Sequence, residues 1–190
     1  MTHTEVYLTS KSQNHPKISS SLHFIIMPHF PSSDSPSILV SVENEQKDLT
    51  LSNMLKDQVS AIVQQVLLLE EVEYHEVSLY FTDKETISQL HADFFDDPTP
   101  TDCISFPMDD SDEQGYRVLG EVFVCPAVAI EYAQSHSIDP YEETTLYVVH
   151  GLLHLLGYDD IEESDRLEMR AAEQKHIDHL KQLNLLLKSA

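Results

Sequence analysis

A chain of 190 residues is long enough for one domain with a real core and too short for two comfortable ones. Its 41% hydrophobic and 23% charged residues are ordinary for a soluble globular protein, and no apolar run approaches the roughly 18 residues that a membrane helix needs. The formal net charge of −22 argues against unaided electrostatic capture of nucleic acid, so an RNA substrate would need a local basic patch, a bound cation or a carrier complex.

Residues 1–36 are rich in Ser, His and Pro, as in Ser19-Ser20-Ser21 and Pro31-Ser32-Ser33-Asp34-Ser35-Pro36. Such a composition buries little, and the segment is expected to be a poorly ordered extension, with Met27 as an alternative start. Its one apolar piece, Leu22–Met27, is too short for a secretory signal and has no basic segment directly before it. The scattered His3, His15, His23 and His29 show no ligand spacing.

Residues 37–190 read as the folded domain. Ile38–Val42 is a short apolar run, a strand. Leu51, Leu55, Val59, Ile62, Val66 and Leu69 recur at three and four, which predicts an amphipathic helix with Thr50 and Ser52 near its start. Val77, Leu79 and Phe81 alternate as a strand does. Thr82-x-x-Glu85 reads as a capping box opening a helix through Ile87, Leu90 and Phe94. Asp96-Asp97-Pro98-Thr99-Pro100 is a loop. Cys103–Phe106 and Val118–Val124 read as two more strands, joined by a solvated acidic loop, Asp109–Gly115, that carries Asp109, Asp110, Asp112 and Glu113. Cys103 and Cys125 lie in apolar stretches and are expected to be reduced, buried thiols of a cytoplasmic protein. After Pro126 the chain is mostly helical. The expected class is α/β (α+β), a single sheet of about four strands covered by helices.

One stretch points to chemistry. Asp139-Pro140-Tyr141-Glu142 opens a helix well, with Asp139 as cap, Pro140 in the first turn and Glu142 closing a capping box. On that helix His150 and His154 are one turn apart and project from one face, as in a zincin-like metal-bearing helix. Gly157 follows and can end the helix in a left-handed conformation, so a residue about three further on swings back. Asp160 is the expected third ligand, with Asp159, Glu162, Glu163 and Asp165 as rivals. Two imidazoles and a carboxylate with one open position suit a single catalytic Zn2+, and the expected catalytic group is a zinc-bound water. The peptidase motif H-E-x-x-H carries its base beside the first histidine, where this chain has Gly151, which counts against proteolysis.

The stretch His150-Gly151-Leu152-Leu153-His154-Leu155-Leu156-Gly157-Tyr158-Asp159 resembles the H-G-x-L-H-L-x-G-Y-D-H signature of the bacterial YbeY family of zinc-dependent endoribonucleases. Pro100-Thr101-Asp102-Cys103-Ile104-Ser105-Phe106-Pro107 is similar to that family's T-D-V-L-S-F-P block, and Leu119-Gly120-Glu121-Val122-Phe123-Val124-Cys125 to its L-G-D-I-x-I-S strand. The three occur in the family's order, and the resemblance spans roughly residues 38–185. It implies a cytoplasmic, single-strand-specific endoribonuclease that matures the 3′ end of small-subunit ribosomal RNA and serves ribosome quality control. The implied partners are ribosomal RNA precursor and the small subunit with its assembly proteins, with no DNA and no membrane. By the resemblance His150 and His154 are zinc ligands, and Asp160 stands where the family has a third histidine. Phe95 stands where the family has an arginine thought to contact substrate phosphate, with His91 or Arg117 as candidate substitutes.

Asp102 and Ser105 are expected either to orient water in the cleft or to turn the chain into a strand. Glu121 reads as an exposed strand carboxylate or a partner to a zinc histidine. His176 falls on the apolar stripe of the last helix (Met169, Ala172, Leu180, Leu183, Leu187) and reads as a core histidine, while His179 reads as solvated. A non-catalytic zinc-containing ribosome-assembly factor and a zinc hydrolase of another substrate are the rival readings.

Overall fold

The computed structural model describes residues 38–108 and 115–189. The expected extension at 1–36 and the acidic-loop carboxylates Asp109, Asp110, Asp112 and Glu113 lie outside the described residues. Among the described residues the fold is α+β, with one open four-stranded sheet and five helices. The strands are β1 (Leu39–Asn44), β2 (Glu76–Phe81), β3 (Cys103–Pro107) and β4 (Val118–Val124). The helices are α1 (Leu55–Leu69), α2 (Lys84–Phe95), α3 (Pro126–His136), α4 (Pro140–Leu155) and α5 (Glu163–Gln182).

The sheet order is β1-β2-β4-β3. β1 and β2 are parallel, as are β2 and β4, while β3 runs antiparallel along the edge of β4. Parallel neighbours need a crossover, and α1 supplies it between β1 and β2.

Alternation sorts the two faces of the sheet. Val77, Leu79 and Phe81 of β2 are fully buried, and Leu79 and Phe81 pair with Val122 and Val124 of β4. They form one core with Val59, Ile62, Val63 and Val66 of α1 and with Val148, Val149, Leu152 and Leu153 of α4. The opposite face carries a smaller aromatic layer. Tyr80 stacks on Phe123 at 4.6 Å between centroids, and Phe106 meets Phe123 edge-on at 5.8 Å. Glu121 belongs to that layer and accepts a hydrogen bond from the Tyr80 hydroxyl at 3.2 Å. Phe95 packs with the small cluster of Ile87, Ile104 and Cys125. Both cysteines are buried thiols outside any disulfide, and burial pushes the Cys125 thiol up.

Several helix starts differ from the sequence pattern. α1 begins at Leu55, not near Leu51. Leu49 and Leu51 are buried all the same, from a turn in which the Ser52 hydroxyl accepts from the Met54 amide at 3.1 Å. The apolar period continues because the core continues, whether or not the backbone is helical. The cap of α2 is Asp83, one residue after Thr82, with its carboxylate accepting from the Thr86 amide at 2.8 Å. Asp139 does cap α4, accepting from the Tyr141 amide at 2.9 Å, but Glu142 turns to Lys181 of α5 at 2.7 Å instead of closing a capping box.

α4 is buried along nearly its whole length, from Glu143 to Leu155. A helix apolar on all sides must be enclosed on all sides, and here the sheet, α3 and α5 enclose it. Its close approach to the sheet depends on Gly151. A Cβ built there would lie 2.4 Å from Val122 Cγ1 and 3.2 Å from Ser105 Oγ. The Ser105 hydroxyl donates to the Gly151 carbonyl at 3.0 Å and ties β3 to the helix.

Candidate metal centre

The end of α4 sets the geometry. Gly157 has φ +94°, a left-handed conformation that glycine adopts without a Cβ clash. Its amide donates to the His154 carbonyl at 2.9 Å and the Tyr158 amide to the Leu153 carbonyl at 3.1 Å, the pairing of a Schellman turn. The chain reverses and brings Asp160 back. Asp159 shapes this return by accepting from the Asp160 and Ile161 amides at 2.7 and 3.1 Å. Arg166 clamps the turn, donating to the carbonyls of Asp160 and Ile161 at 3.1 and 2.5 Å.

His150, His154 and Asp160 thereby converge. One ligand atom from each lies within 4.8 Å of the others, and the two histidines are buried while Asp160 is half-buried. This group could hold a metal ion. Asp159 is engaged in the turn, and the rivals Glu162 and Glu163 are exposed at the start of α5.

The acceptors behind the rings fix their tautomers. His150 Nδ1 faces the Glu173 carboxylate of α5 at 2.5 Å, and His154 Nδ1 faces the Tyr158 carbonyl at 2.9 Å. A carbonyl and a carboxylate only accept, so each Nδ1 carries the hydrogen and donates it. That leaves the two Nε2 atoms turned toward each other, 2.8 Å apart. Two imidazole lone pairs at that distance call for positive charge between them. Burial pushes His154 down to about 3, so this ring resists taking the proton itself. A donor set of two neutral imidazole nitrogens and one carboxylate fits a zinc ion. The arrangement of histidine, metal position and carboxylate partner is one that raises ligand basicity and holds ring orientation.

Sequence reasoning did not find Glu173 or the Tyr158 carbonyl as partners of the rings. The first lies 23 positions from His150 and has no local spacing to reveal it. A faint signal was present: Glu173 follows Ala172 and precedes His176 on the inward stripe of α5, an unusual place for a carboxylate. His176 is fully buried and its Nε2 meets Glu70 at 2.9 Å, as a bonded core histidine does. His179, expected to be solvated, is half-buried and bonds Gln65 at 2.8 Å.

The other singled-out residues fall as follows. Asp102 stands at the entry of β3, its carboxylate accepting from the Cys103 amide at 2.8 Å and the Thr101 hydroxyl at 2.9 Å. His91 gives Nδ1 to the Thr99 carbonyl at 2.8 Å, and Arg117 lies over the Tyr74 ring and donates to the Glu73 carbonyl at 3.1 Å. These contacts tie one ring nitrogen of His91 and part of the Arg117 guanidinium to nearby backbone and ring. Beside the centre, a cleft of about 320 Å³ between α4 and α5 is lined by Glu142, Glu143, Arg170, Glu173 and Lys181 among others. No helix among the described residues is long and apolar enough to cross a membrane.

A pH dependence follows from His154. Its folded value of about 3 lies below its ordinary 6.5, so between those values the unfolded chain binds the extra proton. Stability is then full above about pH 6.5 and declines as pH falls, by up to about 1.4 kcal/mol per pH unit. His176, also pushed down by burial against the opposing pull of Glu70, adds in the same direction. Urea denaturation of chelator-treated protein is expected to give a lower midpoint at pH 5.5 than at pH 7.5. An equal midpoint would mean that the rings are not buried as neutral groups.

The family model described as "Endoribonuclease YbeY" matches residues 41–181 of the chain. A protein of Protochlamydia amoebophila named "Endoribonuclease YbeY" is 56% identical over 151 residues, covering 80% of this chain and 99% of that protein. One of the same name from Chlamydia trachomatis serovar D is 37% identical over 158 residues, covering 82% of this chain and 95% of that protein. Among solved structures, that of TM1509 from Thermotoga maritima superposes with a TM-score of 0.53 at 25% identity, covering 74% of this chain and 87% of that one.

Proposed function

The chain belongs to the YbeY endoribonuclease family, and on that premise we propose that it is a zinc-dependent, single-strand-specific endoribonuclease acting on ribosomal RNA precursors. Its activity belongs to residues 37–190. The observation that carries the reading is the convergence of His150, His154 and Asp160 with both imidazoles oriented from behind. The proposed role is maturation of the 3′ end of small-subunit ribosomal RNA, in the cytoplasm, as part of ribosome quality control.

His150, His154 and Asp160 hold the ion in this reading. Bound there, zinc supplies Lewis acidity toward a phosphoryl oxygen and makes water a better nucleophile near neutral pH. The residues around it do the rest. Glu173 and the Tyr158 carbonyl keep the two rings from rotating. Ser105, through the Gly151 carbonyl, seats the ligand-bearing helix on the sheet, and Asp102 fixes the entry of the strand that carries Ser105. Arg166 and Arg170, one turn apart on α5, put positive charge beside Asp160 and Glu173. That is local relief in a chain of net charge −22, and the ribosome or one of its assembly proteins supplies the rest of the attraction to RNA.

The test uses purified full-length protein and a precursor RNA with a single-stranded 3′ extension. Cleavage is expected to fall on the order of 10²-fold or more after chelation, and to return with added zinc. Cleavage indifferent to chelation would overturn zinc dependence. Zinc retained with no cleavage at all would favour a non-catalytic assembly factor, the reading that Phe95 in the arginine position supports.

A further inference from the structure

Glu70 follows the last turn of α1 and lies 80 positions before His150. Its carboxylate gathers three donors. The Tyr158 hydroxyl reaches one oxygen at 2.8 Å, while His176 Nε2 and Lys175 Nζ reach the other at 2.9 and 3.0 Å. The Glu70 side chain is only 13% exposed, so burial pushes its acidity the unfavourable way, yet these donors outweigh that and hold it below its ordinary value. Such a hub would stabilise any fold, but one of its spokes leads to the metal centre.

Tyr158 is gripped at both ends. Its ring ends on Glu70, its amide donates to the Leu153 carbonyl at 3.1 Å, and its own carbonyl accepts from His154 Nδ1 at 2.9 Å. The ring anchor limits how the residue 158 backbone can turn. The backbone plane sets where the carbonyl points, and the carbonyl sets the rotation and tautomer of His154. The histidine then presents Nε2 to His150 Nε2 at 2.8 Å.

We propose that Glu70 is a positioning residue for the His150, His154 and Asp160 centre, acting through Tyr158 to hold the His154 ring with Nε2 facing the metal position; the inference rests on those three residues being the ligands. It assigns the end of α1 a part in metal binding.

Zinc affinity of the full chain, measured by competition with a chromogenic chelator, tests this beside the ring ¹⁵N signals of His154 in chelator-treated protein. Tyr158→Phe removes one oxygen and keeps the ring packed. It is expected to weaken zinc about 10–100-fold, the usual effect of losing an outer partner, and to spread the His154 ring over both tautomers. Glu70→Ala should do the same, and Glu70→Gln, which keeps an acceptor for the phenol, should stay within about threefold of wild type. The Glu70→Ala/Tyr158→Phe double variant should lose no more than the worse single, because one bond is removed in both. Wild-type affinity and wild-type ring signals in Tyr158→Phe would overturn the inference even if Glu70→Ala fails to fold. His154→Ala separates the two levels. If it still binds zinc normally, the ligand assignment fails. If it loses zinc while Tyr158→Phe does not, only the positioning role fails.

Discussion

Alanine in place of His154 is expected to weaken zinc binding on the order of 10²- to 10³-fold and to abolish zinc-dependent RNA cleavage, with the helical signal retained. The loss has two parts. One ligand of three disappears, and the Tyr158 carbonyl that faced the ring at 2.9 Å is left without its donor. The second part costs about 1–3 kcal/mol of stability, small beside the roughly 5–15 kcal/mol of a typical domain. The variant should therefore fold, and zinc content after desalting, read beside circular dichroism, checks the claim. A folded variant with full zinc content would remove His154 from the centre. Because His150 and His154 face each other at 2.8 Å, His150→Ala should behave alike.

The second large effect is steric. Gly151→Glu would write the peptidase motif H-E-x-x-H into α4, and it is expected to prevent accumulation of folded protein. The residue faces the sheet. Its Cβ would lie 2.4 Å from Val122 Cγ1, and Val122 is fully buried. The carboxylate would then be driven into the core without a partner, a cost of several kcal/mol. Gly151→Ala isolates the contact alone. Overpacking of about 1–3 kcal/mol is partly offset by the better helix propensity of alanine, about 1 kcal/mol, so a net loss should appear in urea denaturation. An alanine variant as stable as wild type would show that the helix can lift off the sheet at little cost. The absent glutamate is thus more than a missing base. Residue 151 is the contact point on which the ligand-bearing helix rests.

Local patterns made much of this legible. The alternation Val77, Leu79, Phe81 gave β2 its buried face, and the i, i+4 histidines with a glycine three residues on gave the centre its side and its turn. Asp160 was reachable because one turn of chain returns it to the helix that carries the histidines. What local patterns could not carry were contacts between distant elements. The antiparallel run of β3 against β4 is a pairing between two strands, not a property of Cys103–Pro107 alone. The partners behind the rings came from α5 and from a backbone carbonyl, and a carbonyl has no letter in the sequence. The cap of α2 fell one residue late because Thr82 and Asp83 are both good caps, and the choice was made where the Thr82 amide joins the sheet by donating to Val124.

The placement of Glu173 has a consequence for synthesis. All three candidate ligands have been translated by residue 160, but the carboxylate that orients His150 arrives 13 positions later, on a helix that must then dock against α4. A nascent chain stopped between those points carries every ligand atom and lacks the side chain that aims one of them. Order of emergence from the ribosome thus becomes an order of assembly, with the centre completed only when α5 closes over it. A chain broken off before residue 173 should be a poor metal binder despite an intact signature.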